Sequence, residues 1–310
     1  MHFSGSPRGL SGGDFTFHFI LMTKRRQKQD VISPSVTNSL SSSGENEEQM
    51  SKKICLNPCI RLTKSFFSTD YLKVCREILG KILVRRYFDS ETQETTLLKG
   101  RIVEVEAYPG GTDKASHSYN GKKTVRNEAM YMCPGTYYVY YIHGRQCCLN
   151  ISTQGEGTAV LIRALEPLEG IEQMKRNRLK TSLERKRKND EDKKKNSTPL
   201  WATKNDLLCK GPCCMCSAMG ITKTDHNQKH MDSDNIDLWF ESDHLILNDD
   251  QIGTSTRVGI DSSGEESVKK QWRFFIQNSP YVSGKKTIIQ MKTTITTTTT
   301  TTSKYFDKMN

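Results

Sequence analysis

Two stretches of the chain hold residues whose type and spacing could do chemistry. In "IVEVEAYPGGTDKASHS", residues 102–118, Glu104 and Glu106 alternate with Val103, Val105 and Ala107, the period of a strand with one apolar and one polar face. In a chain of net charge +11, two acids on one strand face need a reason. Taken alone, they read as the wet side of a half-buried strand. The second stretch is "PGTYYVYYIHGRQCCLNIST", residues 134–153, which reads as a hairpin turning through His143–Gly144–Arg145–Gln146. Gly144 can take the positive backbone angle that a tight turn requires. Tyr137, Tyr138, Tyr140 and Tyr141 place aromatics on both faces of the first strand. A single tyrosine in a strand usually only packs. With both faces aromatic, one can enter the core while the other offers a platform to a flat ligand. A nucleobase is such a ligand, and stacking is worth roughly 1–3 kcal/mol per base.

These residues need elements to position them. Leu72, Val74, Cys75, Ile78 and Leu79 recur at helical spacing in Tyr71–Leu83. Thr69 or Asp70 can cap the start of that helix, and Gly80 marks its end or a bend. Strand-like runs follow at 82–86, 100–108, 136–142, 146–152 and 158–163, and "EPLEGIEQMKRNR" from residue 166 opens a helix. Lys175–Lys195 carries eleven Lys and Arg against four Asp and Glu. It reads mainly as a solvated charged insertion, about 175–205, that could also meet phosphates or direct nuclear import. Folded sequence resumes near Leu207 and runs through "QWRFFIQNSPYVS" at 271–283. Residues 1–63 are polar and basic, 287–310 are rich in threonine, and both read as disordered arms. One domain, 64–286, is left to carry the function.

Composition narrows the partners. The chain has 310 residues, is 35% hydrophobic, and holds 46 Lys and Arg against 35 Asp and Glu. That balance suits a polyanion, nucleic acid or an acidic membrane surface. The apolar run "FTFHFILM" at 15–22 is too short for a bilayer. The basic Lys24–Lys28 stretch follows it rather than preceding it, the reverse of an export signal. The expectation is no membrane segment, no export and ten cysteines kept as thiols. Among Cys209, Cys213, Cys214 and Cys216 only Cys213 and Cys216 have a two-residue gap. His226 and His230 follow at a usable spacing, but a structural zinc site usually shows two clear pairs. Thiols on a loop and helix are the reading, with no metal and no cofactor.

Several segments in order resemble one family. "GRIVEVEAYPG", "ASHS", "RNEAMYMCPGTYYVY", "IHG", "LNIS" and "AVLIRALEPLEG" are similar to the alkyladenine (3-methyladenine) DNA glycosylases. "LLCKGPCCMCSAMGI", "RVGI" and "WRFFIQNSPYVS" continue the match, so the resemblance covers roughly residues 64–284. It implies a mixed α/β (α+β) single domain around a curved antiparallel β-sheet, with surrounding helices and a DNA-facing β-hairpin. The implied reaction is hydrolysis of the N-glycosidic bond of an alkylated or deaminated purine in duplex DNA, without a Schiff base.

By the same resemblance Glu106 is the general base that activates water, and Arg163 keeps its carboxylate ionised and oriented. Tyr108, His117 and Tyr140 line the pocket for the flipped base, whose extrusion costs a few kcal/mol. Asn150 excludes normal guanine by opposing its exocyclic amine. Lys122 and Arg126 meet phosphates. Where the family has a tyrosine wedge, this chain has His143, with Arg145 and Gln146 after it. His143 is then expected to intercalate less tightly and Arg145 to add phosphate attraction. Glu104 is left as a wet strand acid. The implied protein is a monomer acting on double-stranded DNA, and the basic clusters with that substrate place it in the nucleus, with a mitochondrial fraction left open. A non-catalytic binder of damaged nucleic acid with the same pocket is the alternative, which the joint presence of Glu106, His117 and Arg163 disfavours. A membrane-surface protein lacks the broad amphipathic helix it needs.

Overall fold

The structure, a computed structural model, describes residues 59–142, 144, 146–186 and 198–284. The expected N-terminal arm up to residue 58, the threonine tail, His143, Arg145 and residues 187–197 lie outside the described residues. Nine strands among the described residues pair into one sheet. The architecture is mixed α and β around a curved, unclosed antiparallel sheet, as the resemblance implied.

The helix α2 spans Tyr71–Glu77. Asp70 Oδ1 caps it, accepting from the N–H groups of Leu72 (2.9 Å) and Lys73 (3.2 Å). It ends at Glu77, shortly before Gly80, the residue that marks its end or a bend in the sequence. Gly80 adopts φ +82° and donates its N–H to Ile102 O at 2.8 Å, handing the chain to strand β2, Ile82–Asp89. That strand pairs with the long β3, Glu94–Tyr108. Upstream lie β1, Ile60–Arg61, and the short helix α1, Lys64–Phe67. The first of these pairs with Glu241 and Ser242, so sheet structure starts ahead of the boundary placed at residue 64.

The hairpin forms as predicted from β4, Tyr137–Ile142, and β5, Gln146–Ser152, and Gly144 takes φ +88°. Strand β6 runs over Ala159–Glu169, beyond residue 166 where a helix is predicted. Pairing of Glu166, Pro167 and Glu169 with Arg101, Gly100 and Lys99 of β3 overrides the local helical pattern. The helix α3 opens only at Ile171 and runs to Lys186, after Gly170. At Gly170, φ is +73° and an added Cβ would lie 2.5 Å from Leu98 Cδ2 and 2.6 Å from Leu97 O. Part of the charged insertion is therefore packed helix. Met174 and Asn177 are buried, and Arg178 lies 4.4 Å from the Trp201 ring while donating to Leu207 O and Leu208 O. Trp201 belongs to α4, Leu200–Thr203, ahead of the Leu207 restart.

Next come α5, Pro212–Ala218, α6, Lys223–His226, and β7, Leu238–Ser242. Strand β8, Ile252–Ser255, helix α7, Glu265–Lys269, and strand β9, Arg273–Ile276, close the fold. Among the described residues no helix is long and apolar enough to cross a membrane. No group of three or more His, Cys, Asp and Glu among them is placed to hold a metal. His226 Nδ1 engages the Thr222 backbone and His230 Nε2 the carbonyl of Pro134.

The sheet separates two environments. Val105, Ala107, Tyr137, Val139, Leu149, Ile151, Val160 and Ile162 enter the main apolar core on one face. At Ile102, β3 leaves β2 and then takes β9 as its neighbour, with Glu104 opposite Phe275 and Glu106 opposite Arg273. The register then runs straight across five strands: Arg273, Glu106, Leu161, Asn150 and Tyr138 face one another in turn. Directly opposed residues of an antiparallel pair share a face. Period two adds Glu104, Tyr108, Tyr140 and Arg163 to that same face.

Candidate active site

Glu104 and Glu106 are both fully buried (0% exposed), which corrects the wet-face reading of Glu104. The cover comes from β9 and from residues 255–283. Backbone and side chains there close over the polar face of β3.

Glu106 is held at both carboxylate oxygens. Oε2 accepts from the Tyr108 hydroxyl (2.8 Å) and from Arg163 Nη1 (3.0 Å), and Oε1 accepts from the Val258 N–H (2.7 Å). A carboxylate offers about four acceptor positions, so one on Oε1 has no partner among the described residues. Burial pushes the Glu106 carboxyl above its ordinary 4.5. Arg163, the Val258 N–H and Tyr108 pull it back, while Glu104 adds to the rise. The side chain is a dry, oriented base that is harder to ionise than a free carboxyl.

Arg163 links the two acids. Its Nε donates to Glu104 Oε1 at 3.0 Å, opposite the Nη1 contact to Glu106. Irregular register between Ile102 and Val105 of β3 leaves Arg163 without an opposed residue on that strand. Such irregularities re-aim side chains beside active sites. Glu104 also accepts from Arg273 Nε at 2.7 Å and, on its other oxygen, from the Ser283 N–H at 2.7 Å.

Tyr108 is fixed from behind. The Arg257 guanidinium lies 4.7 Å from its ring and 5.0 Å from that of Trp272. Asp113 holds Arg257 through two 2.7 Å contacts, the planar fork that suits arginine. Burial first, then Glu106, raises the Tyr108 phenol well above its ordinary value, so it stays a proton donor to Glu106.

His117, Tyr138 and Tyr140 form the aromatic half. The His117 ring meets Tyr140 edge-on at 4.8 Å, and Tyr138 stacks on Tyr140 at 5.2 Å. His117 Nδ1 lies 2.8 Å from the Tyr138 hydroxyl. Burial, then the nearby Arg126 cation, lowers His117 to about 4, so its imidazole is neutral at pH 7. In the His117–Tyr138 bond either group can donate, according to the imidazole tautomer. Asn150 is buried and donates through Nδ2 to the Tyr138 carbonyl at 3.1 Å, an orientation that fixes which end of the amide is the donor. Lys122 and Arg126 are exposed, and the Arg126 guanidinium lies 5.2 Å from the Tyr140 ring. His143 and Arg145 fall outside the described residues.

A buried carboxylate with one acceptor position unpartnered among the described residues, beside a phenol and a wall of aromatic rings, can deprotonate a water next to a flat bound group. Comparison with known proteins points the same way. The Methylpurine-DNA glycosylase family model matches residues 65–280. The chain belongs to the methylpurine-DNA glycosylase family.

The DNA-3-methyladenine glycosylase of Homo sapiens is 40% identical over 223 residues, which is 72% of this chain and 68% of that protein. That of Mus musculus is 41% identical over 224 residues, and the match takes in 61% of its length, less than two thirds. The putative 3-methyladenine DNA glycosylase of Clostridium perfringens (strain 13) is 41% identical over 228 residues, 73% of this chain and all of that one. The matched region of this methylpurine-DNA glycosylase chain takes in strands β2 to β9 and most of the cover, leaving out β1 and Ser283. Of the predicted site residues, Glu106, Arg163, Tyr108, His117, Tyr140 and Asn150 share one sheet face or the loop against it. Sequence reasoning missed Glu104, Asp113, Arg257, Val258, Arg273 and Ser283. Four of these sit in "RVGI" and "WRFFIQNSPYVS", segments matched to the family without any role assigned.

Proposed function

We propose that this chain is a base-excision-repair DNA glycosylase that removes alkylated and deaminated purines of the 3-methyladenine, 7-methylguanine and hypoxanthine class. Family membership supports the glycosylase activity. The observation that carries the mechanism is the Glu106 carboxylate, buried and held by Arg163, Tyr108 and the Val258 N–H, on the sheet face that bears the aromatic residues.

The lesion leaves the duplex and stacks on Tyr108 and Tyr140, with His117 contacting its edge. Cationic alkylpurines gain from these aromatic faces. Glu106 takes a proton from water, whose oxygen bonds to the deoxyribose carbon as the bond from that carbon to the purine nitrogen breaks. The electron pair leaves with the base, and an abasic site remains. The groups bonded to Glu106 are a phenol, a guanidinium and a backbone amide, which supports hydrolysis rather than an amine-bound intermediate. Asn150 Nδ2, oriented by the Tyr138 carbonyl, opposes a second donor such as the guanine amine. The enzyme acts as a monomer on nuclear DNA, with Lys122 and Arg126 at the phosphates.

The deciding experiment incubates the full chain with a duplex carrying one 3-methyladenine or hypoxanthine, then heats it in alkali. Alkali-dependent breaks at the lesion support the reading. Borohydride trapping of a covalent enzyme–DNA adduct would overturn the hydrolytic route. Because burial raises Glu106, its ionised fraction is lost on acidification at a higher pH than for a free carboxyl. Single-turnover excision should therefore fall on the acid side with a midpoint above 4.5. A midpoint at or below that value would assign the limb to another group. His143, beside Gly144 at the hairpin turn, takes the wedge role and Arg145 a phosphate. His143→Ala should weaken lesion-duplex binding and slow excision, and His143→Tyr should tighten binding. Unchanged flipping and excision in His143→Ala would remove the wedge role.

A further inference from the structure

Resting on that reading, we propose that Glu104 is a positioning residue that acts on Glu106 through Arg163, within one buried cluster of two acids and two cations. The second cation is Arg273. All four side chains are buried, and the contacts between them are direct. Glu104 Oε1 accepts from Arg163 Nε (3.0 Å) and Arg273 Nε (2.7 Å), and Oε2 accepts from the Ser283 N–H (2.7 Å).

A guanidinium is planar, so fixing one edge fixes the direction of the remaining nitrogen. Arg163 is held along one edge by Glu104 at Nε and Ser283 Oγ at Nη2 (3.4 Å). The nitrogen left over, Nη1, is the one that reaches Glu106. Arg273 holds Glu104 in turn, and is itself anchored by Ser255 Oγ (3.0 Å) and the Ser283 carbonyl (2.5 Å). Glu104 makes no hydrogen bond to Glu106, so it orients that carboxylate through the arginine, while its charge also acts on Glu106 directly. A buried ion network of this kind adds little stability over apolar packing, which favours a role in setting geometry and charge.

The charges predict opposite effects for two substitutions. Facing Glu106 are Glu104 and Tyr108 from β3, Arg163 from β6, Arg273 from β9 and the Cys75 thiol from α2. Arg257 stands behind Tyr108 with its charge matched by Asp113. Glu104→Gln leaves the two cations of the cluster facing one acid, which favours the ionised form of Glu106. Arg273→Gln leaves two acids sharing one cation, which disfavours it.

The test follows single-turnover excision of a hypoxanthine duplex against pH for the full chain and both variants, with thermal midpoints measured alongside. In Glu104→Gln the acid limb should move down by about one unit, with the plateau lowered several-fold because the Arg163 edge is less constrained. In Arg273→Gln the limb should move up by about as much. A purely structural defect lowers both plateaus and thermal midpoints without moving the limbs apart. Limbs that stay with wild type, or move in the same direction, overturn the proposal. If Glu104→Gln does not fold, Arg273→Gln decides alone: an unmoved or lowered limb overturns it. A wild type that excises, with activity lost in Glu106→Gln and the limbs unmoved, overturns the positioning role and leaves the proposed function standing. A wild type that excises nothing overturns both.

Discussion

Glu106→Gln should lower single-turnover excision by about 10²- to 10⁴-fold, the usual contribution of a positioned general base, while a lesion-bearing duplex is still bound. The amide matches the carboxylate in shape but takes no proton from water. It also meets three donors: the Tyr108 hydroxyl, Arg163 Nη1 and the Val258 N–H. If the amide oxygen faces Arg163, the NH₂ faces the Val258 N–H. If it faces Val258, the NH₂ faces the guanidinium. Tyr108 can turn its hydroxyl to accept, but the backbone amide and the arginine cannot. One buried donor goes unsatisfied either way, at a cost of about 1–3 kcal/mol in stability. Thermal melting with lesion-duplex binding separates that cost from the catalytic loss. A Glu106→Gln protein that melts a few degrees low, binds, and still excises at the wild-type rate would remove the carboxylate from the mechanism.

The part of this site that a sequence reader can see is the part made by period two. Alternation in Val103–Tyr108 put Glu104, Glu106 and Tyr108 on one face, and alternation in Tyr137–Tyr141 divided the tyrosines. In the structure Tyr137 packs in the main core, Tyr138 and Tyr140 pack with His117, and Tyr141 is exposed. Gly144 marked the hairpin turn for the same local reason. What alternation cannot reveal is whether the polar face is covered. The groups over Glu104 and Glu106 come from Val258, Arg273 and Ser283, 152 to 179 residues downstream, and burial there converts two wet acids into a charge cluster. Register was equally invisible. "EPLEGIEQMKRNR" reads as a helix opening at residue 166, yet Pro167 and Glu169 pair with β3, and the helix waits until after Gly170. The family resemblance named Arg163 but gave no hint that its guanidinium divides between two carboxylates. That division depends on which strand lies beside which.

Arg163→Met should slow excision at neutral pH and destabilise the fold, because it removes the cation between two buried acids. Glu104 and Glu106 would then share the site with Arg273 alone, and taking one partner from a buried ion cluster costs about 3–5 kcal/mol. The cheapest relief is for one acid to keep its proton, and Glu106 is the candidate because Arg273 Nε still donates to Glu104. Loss of an opposite charge at hydrogen-bond distance raises a carboxyl by about 1–3 units. At neutral pH that leaves a smaller ionised fraction than in wild type, and once the carboxyl titrates above the buffer pH each further unit costs about tenfold. The sign of the pH effect distinguishes this from a misfolded variant. Raising the pH deprotonates Glu106, so Arg163→Met should regain part of its activity in alkaline buffer, whereas Glu106→Gln, which has no proton to lose, should regain none. Arg163→Lys keeps the charge but has one compact donor group where the guanidinium spans two carboxylates, so it should fall between wild type and Met. Equal loss in Lys and Met with no alkaline recovery in either would mean that Arg163 acts only by packing, and Glu106 would then have to be held ionised by the Val258 N–H and Tyr108 alone.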